Sequence, residues 1–81
     1  MDDKRRTQRM RRLKDGCIYF NGKKSMMNCV VRDVSATGAR VILAEPYLIP
    51  AEFELVIKGS PARAARKVWV KHNEIGIEFI R

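Results

Sequence analysis

The sequence predicts an all-β domain: a six-stranded antiparallel β-barrel preceded by a flexible basic N-terminal arm. Three observations point there. After Leu13 the chain divides into six short β-like runs, separated by turn signals built on glycine, proline, asparagine or serine. Within the runs apolar residues recur at every second position, the period of a strand with one face in a core and one in water. The runs follow one another at intervals of about 8 to 12 residues, which favours an antiparallel sheet, and closing that sheet removes the edges an open one would expose. With 81 residues, and roughly 100 to 200 residues per domain, there is room for one domain, assigned to residues 14–81 with residues 1–13 as the arm.

The first run, Lys14 to Phe20, ends at Asn21-Gly22, a pair suited to a two-residue hairpin turn. Such a turn would set Cys17 opposite Met26. The second, Ser25 to Asp33, places Met27, Cys29 and Val31 on one face and ends in Ser35-Ala36-Thr37-Gly38. Ala39 to Ala44 follows, with Ala39, Val41 and Leu43 aligned, and stops before Pro46. Ala51 to Lys58, bounded by Pro50 and Gly59-Ser60-Pro61, aligns Phe53, Leu55 and Ile57. Ala64 to Lys71 aligns Arg66, Val68 and Val70, with Trp69 on the opposite face between Lys67 and Lys71, and turns at His72-Asn73. Ile75 to Ile80 completes the set. A chain this small buries only about 60 to 65% of its unfolded surface, so each core side chain carries a large share of the stability.

Charge narrows the partners. Lysine and arginine number 17 against 9 acidic residues, a net charge of +8. Met1 to Lys14 holds seven of the basic residues and two of the acidic ones, hence five of the eight net charges. Polyanions are the natural partners of such a chain. The charged N-terminus contains no apolar stretch of the roughly 7 to 15 residues a secretory signal requires, so a cytoplasmic location is expected. The barest apolar stretch, Ala39 to Ala44, is broken by Arg40, and no membrane insertion is expected. Cys17 and Cys29, separated by eleven residues, match neither a metal knuckle nor a disulfide framework and read as reduced thiols.

Catalysis finds little support. The single histidine, His72, falls in a turn, and Glu52 and Glu54 alternate on the polar side of a strand, where solvated charge is the ordinary state. Neither a phosphate-binding P-loop nor a dinucleotide glycine motif is present. The expectation is a binding protein, not an enzyme, without metal or cofactor.

Two features carry binding chemistry. Arg5 and Arg9 are four apart and project to one side whether the arm is helical or extended. Their planar, permanently charged forks can bond a phosphate or the O6/N7 edge of guanine in bidentate fashion, which lysine cannot. The second feature is Asp33-Val34-Ser35-Ala36-Thr37-Gly38, between two strands. If the strand continues, Asp33 and Ser35 face the same way, and the carboxylate can accept the N1 and N2 protons of guanine beside a hydroxyl. Gly38 permits a positive φ or a close backbone approach. The bland alternatives are a solvated basic tail and ordinary Asx and Ser turn chemistry.

Arg5-x-x-x-Arg9 followed by Asp33-x-Ser35-x-x-Gly38 resembles the PilZ family of cyclic di-GMP receptors, matching its R-x-x-x-R and [DN]-x-S-x-x-G patterns at every fixed position. The resemblance covers nearly the whole chain. It implies a six-stranded barrel whose N-terminal arm folds over a bound cyclic di-GMP, with Arg5 and Arg9 gripping guanine edges and phosphates and Asp33, Ser35 and Gly38 holding a guanine. Lys4 and Arg6 flank the matching arginines as candidates for further phosphate contacts. Trp69 is a candidate stacking ring or, in a structural role, a cap on the barrel's open end. Many family members continue into a C-terminal helix after the last strand; the resemblance here runs through the six β-runs to Arg81.

The function expected on this basis is that of a bacterial, cytoplasmic second-messenger receptor that binds cyclic di-GMP, orders its arm and acts on a downstream protein effector. One alternative is a small basic barrel binding RNA or single-stranded nucleic acid non-specifically. The other is a structural interaction module that does not bind the nucleotide.

Overall fold

The computed structural model describes residues 13–80. All six predicted runs are strands: β1 Lys14–Phe20, β2 Ser25–Val34, β3 Gly38–Ile42, β4 Glu52–Ile57, β5 Arg63–Lys71 and β6 Glu74–Phe79. Every pairing is antiparallel, and the ring closes in the order β1-β2-β3-β6-β5-β4, with β4 returning to β1. Ile18, Val31, Val41, Leu55, Ala65 and Ile75, one from each strand, are buried at its axis. Each branched aliphatic there contributes about 1.5 to 3 kcal/mol through removal from water. Among the described residues no polar or charged residue is buried, and no helix is long and apolar enough to cross a membrane.

The segment joining β3 to β4 contains a single 3-10 turn, Pro46–Leu48, which the sequence pattern did not mark. Pro46 starts it with a preset φ. The turn delivers Ile49 into the core, and the Lys67 ammonium fixes the Ile49 carbonyl at 2.6 Å while the Lys67 N–H donates to Ala51 O at 2.8 Å.

Two expectations about register are corrected. The β1–β2 loop has four residues, Asn21 to Lys24, of which Asn21, Gly22 and Lys23 all have positive φ. Cys17 therefore stands opposite Asn28, not Met26. The reason is core pairing: the observed register sets Ile18 against Met27, whereas a two-residue turn would have set it against Ser25. Cys29 faces the core, opposite Gly16, and burial, with a smaller contribution from nearby Cys17, pushes its thiol up to about 12.

The second correction concerns β5. Lys67 pairs with Ile77 and Trp69 with Gly76, so Val68 is the extra residue of a β-bulge. The bulge resets the alternation. Ala65 is the buried residue of the strand, Arg66 lies outside against Glu78 with a 3.1 Å ion pair, and Val68 is 59% exposed. Arg66, Val68 and Val70 do not form a shared inner face, and Lys67 belongs to the inward row. Trp69 keeps its expected outward direction.

Candidate functional site

The β2–β3 connection owes its shape to a second bulge. Val31 pairs with Val41 and Val34 with Ala39, so Arg32 and Asp33 together oppose the single residue Arg40. β2 then ends at Val34, so the strand does not continue to align Asp33 with Ser35, and each does something different. Asp33 accepts from Arg40 Nε at 2.8 Å and pairs through the same Oδ2 with Arg40 Nη2. That charge-assisted contact raises the already high pKa of Arg40, and Glu74 adds to it, although the guanidinium is solvent-facing.

Ser35 folds the loop. Its Oγ accepts from the backbone N–H groups of Thr37 (3.2 Å) and Gly38 (3.3 Å), while its own N–H donates to Gly38 O at 2.9 Å. This is the Ser turn chemistry that competes with a ligand role. The Thr37 carbonyl is held by the Phe79 N–H at 2.8 Å, and the Ala36 carbonyl by Arg63 Nη2 at 3.4 Å. Arg63 in turn lies over the Phe79 ring, 3.7 Å from its centroid.

Gly38 has no positive φ; its need is clearance. A Cβ there would stand 2.3 Å from the Ile77 carbonyl oxygen, so only glycine lets β3 start this close to β6.

The wall beside the loop is built across three strands. Arg40 of β3 is opposite Gly76 of β6, which is opposite Trp69 of β5. The indole lies directly over Gly76, where a Cβ would meet its ring at 2.2 Å. Trp69 thus covers a glycine in the wall and does not cap a barrel end, and it leaves 40% of its surface exposed. Gly76→Ala is expected to push the ring off the wall at a cost of roughly 1 to 3 kcal/mol, and to red-shift the emission of this single tryptophan in the folded state. An unchanged emission spectrum would contradict this placement.

The structure therefore brings Asp33, Ser35 and Gly38 into one surface loop, joined through the Arg40–Gly76–Trp69 row to an exposed aromatic ring. Lys4, Arg5, Arg6 and Arg9 lie outside the described residues. Sequence reasoning missed Arg40 and Arg63. Arg40 had a signal: it and Asp33 are opposite charges flanking a short turn, a cross-strand pair in waiting. Arg63 had none, since its partners Ala36 and Phe79 are distant in sequence.

Among the described residues no group of three or more histidine, cysteine, aspartate or glutamate side chains gathers. The comparisons with curated proteins and with solved structures gave no match. The family comparison did: the PilZ domain model matches residues 3–81, both sequence motifs included. A closed six-stranded barrel with the D-x-S-x-x-G loop on its outer wall accords with that match over essentially the full length, and the chain belongs to the PilZ domain family.

Proposed function

We propose that the protein is a receptor for cyclic di-GMP, the ligand associated with its family, and that it works by binding alone. In this reading Asp33 accepts the N1 and N2 protons of one guanine, Ser35 and Gly38 shape the loop against it, and Trp69 offers a face for stacking. Arg5 and Arg9 grip guanine edges and phosphates, with Lys4 and Arg6 adding phosphate contacts. Residues 1–13 act as the arm that folds over the ligand and residues 14–81 as the barrel beneath it. Ordering of the arm creates the surface read by a downstream protein effector in a bacterial cytoplasm.

One observation carries the proposal. The exposed Asp33-to-Gly38 loop is fixed from several sides, by Arg40, by Phe79 and Arg63, and by the close approach of Gly38 to Ile77. A loop held in one geometry binds without first losing conformational freedom. The charge of +8 also suits nucleic acid, and salt separates the two readings. Calorimetric titrations with cyclic di-GMP, GTP and a short single-stranded RNA at two salt concentrations are expected to show strong binding of cyclic di-GMP alone. RNA binding that exceeds it and falls steeply with salt would favour the basic-barrel reading through counterion release.

A further inference from the structure

We propose that Arg40 is a positioning residue of the ligand loop, holding the Asp33 carboxylate in place as the acceptor for a guanine edge. The assignment rests on the receptor reading above and adds to it a residue outside both sequence motifs.

The bulge between β2 and β3 is the starting point, because it sets Arg32 and Asp33 together against Arg40. Arg40 approaches one carboxylate oxygen of Asp33 with both Nε, at 2.8 Å, and Nη2. Behind it stands Glu74, on the first residue of β6, whose Oε2 is 3.8 Å from Arg40 Nε and 3.6 Å from Arg32 Nη1. The four side chains alternate in sign, as Arg32, Glu74, Arg40 and Asp33, and sum to zero charge.

Glu74 is the anchor of this chain. Its side chain is only 21% exposed, against 45% for Arg40 and 56% for Asp33, and its Oε2 is buried without a hydrogen-bond partner. A carboxylate oxygen so placed depends on the two guanidinium groups for compensation, which draws Arg40 toward β6. From there the guanidinium reaches across to Asp33, so β6 determines where the Asp33 carboxylate stands. An exposed ion pair of this kind adds little to stability, and its consequence lies in geometry instead. A carboxylate already oriented meets the N1–H and N2–H of guanine without paying for its own ordering.

A double-substitution cycle tests whether Arg40 acts through Asp33. Asp33→Ala, Arg40→Ala and the combined variant are titrated calorimetrically with cyclic di-GMP, after melting curves confirm that each is folded. The expected losses are about 30-fold for Asp33→Ala and roughly tenfold for Arg40→Ala, with the combined variant no weaker than Asp33→Ala within about threefold. Multiplying losses would show that Arg40 contributes independently and would overturn the assignment.

A second readout uses cyclic di-IMP, whose hypoxanthine keeps N1–H but lacks the exocyclic amino group. Arg40→Ala should shrink the preference for cyclic di-GMP over this analogue, and Arg40→Lys should recover part of it. A preference that survives intact while both affinities fall equally indicates general loop damage and refutes the assignment. Binding by the unsubstituted chain with multiplying losses sinks this inference alone; no binding by the unsubstituted chain sinks the receptor reading and this inference together.

Discussion

Gly38→Ala should lower the stability of the barrel by about 3 kcal/mol, on the order of 15 °C in melting temperature for a chain of this size, and should abolish or severely weaken ligand binding. The atom in the way is backbone. The added Cβ would meet the Ile77 carbonyl oxygen at 2.3 Å, its carbonyl carbon at 3.4 Å and Glu78 Cα at 3.5 Å, so no side chain can rotate to make room. Relief requires β3 and β6 to separate where Gly38 pairs with Glu78, and that displaces the loop ending at Gly38. Gly38→Val adds a stiff β-branched side chain and should do at least as much damage. Gly76→Ala is the instructive contrast, because there the obstacle is an indole that can swing into solvent. Thermal denaturation of the two alanine variants should rank Gly38 well above Gly76; equal melting temperatures would show that the β3–β6 approach is looser than described.

Single replacement of Arg5 or Arg9 by lysine should weaken cyclic di-GMP binding by one to two orders of magnitude, roughly 1 to 3 kcal/mol, while leaving net charge unchanged. Shape makes the difference: a guanidinium spans two acceptors in a plane, and an ammonium presents a point charge. The same replacement at Arg11 or Arg12, outside the R-x-x-x-R pattern, should have a much smaller effect. If summed charge alone attracted the ligand, all four variants would be nearly neutral and interchangeable. Titration of the four variants distinguishes these outcomes, and affinities within error of one another would remove Arg5 and Arg9 from the site.

The barrel was legible because its strands keep a strict period of two wherever the pairing is regular. Met27, Cys29 and Val31, Ala39, Val41 and Leu43, and Phe53, Leu55 and Ile57 all turn toward the interior, and all but the half-buried Met27 are buried. The pattern failed where an extra residue enters a strand. Val68 on β5 and the Arg32-Asp33 pair on β2 are bulged, and one alternation cannot hold on both sides of a bulge: counted through Val68, it pairs Arg66 with the inward Val70, whereas Ala65 and Lys67 hold the inward row before the bulge. The β1–β2 turn was misjudged for a related reason, since Asn21-Gly22 specifies a reversal but core pairing chooses its length.

The site shows the same division. Asp33, Ser35 and Gly38 could be named from their order in the chain, and the loop gathers them. What the order could not convey is that Ser35 spends its hydroxyl on the turn, that Gly38 serves clearance and not a positive φ, and that Asp33 is engaged by a residue seven positions on. Those facts depend on pairing between strands, as does the placement of Trp69 over Gly76.

Recognition of guanine by this wall is tested by paired calorimetry of the unsubstituted protein with cyclic di-GMP and cyclic di-AMP under identical conditions. In the proposed receptor Asp33 accepts the N1 and N2 protons that guanine carries, and adenine presents neither donor there. A site built to accept those hydrogen bonds loses heavily when they are missing, so cyclic di-GMP should bind at least about a hundredfold more tightly than the adenine dinucleotide. Equal affinity for the two would contradict the account.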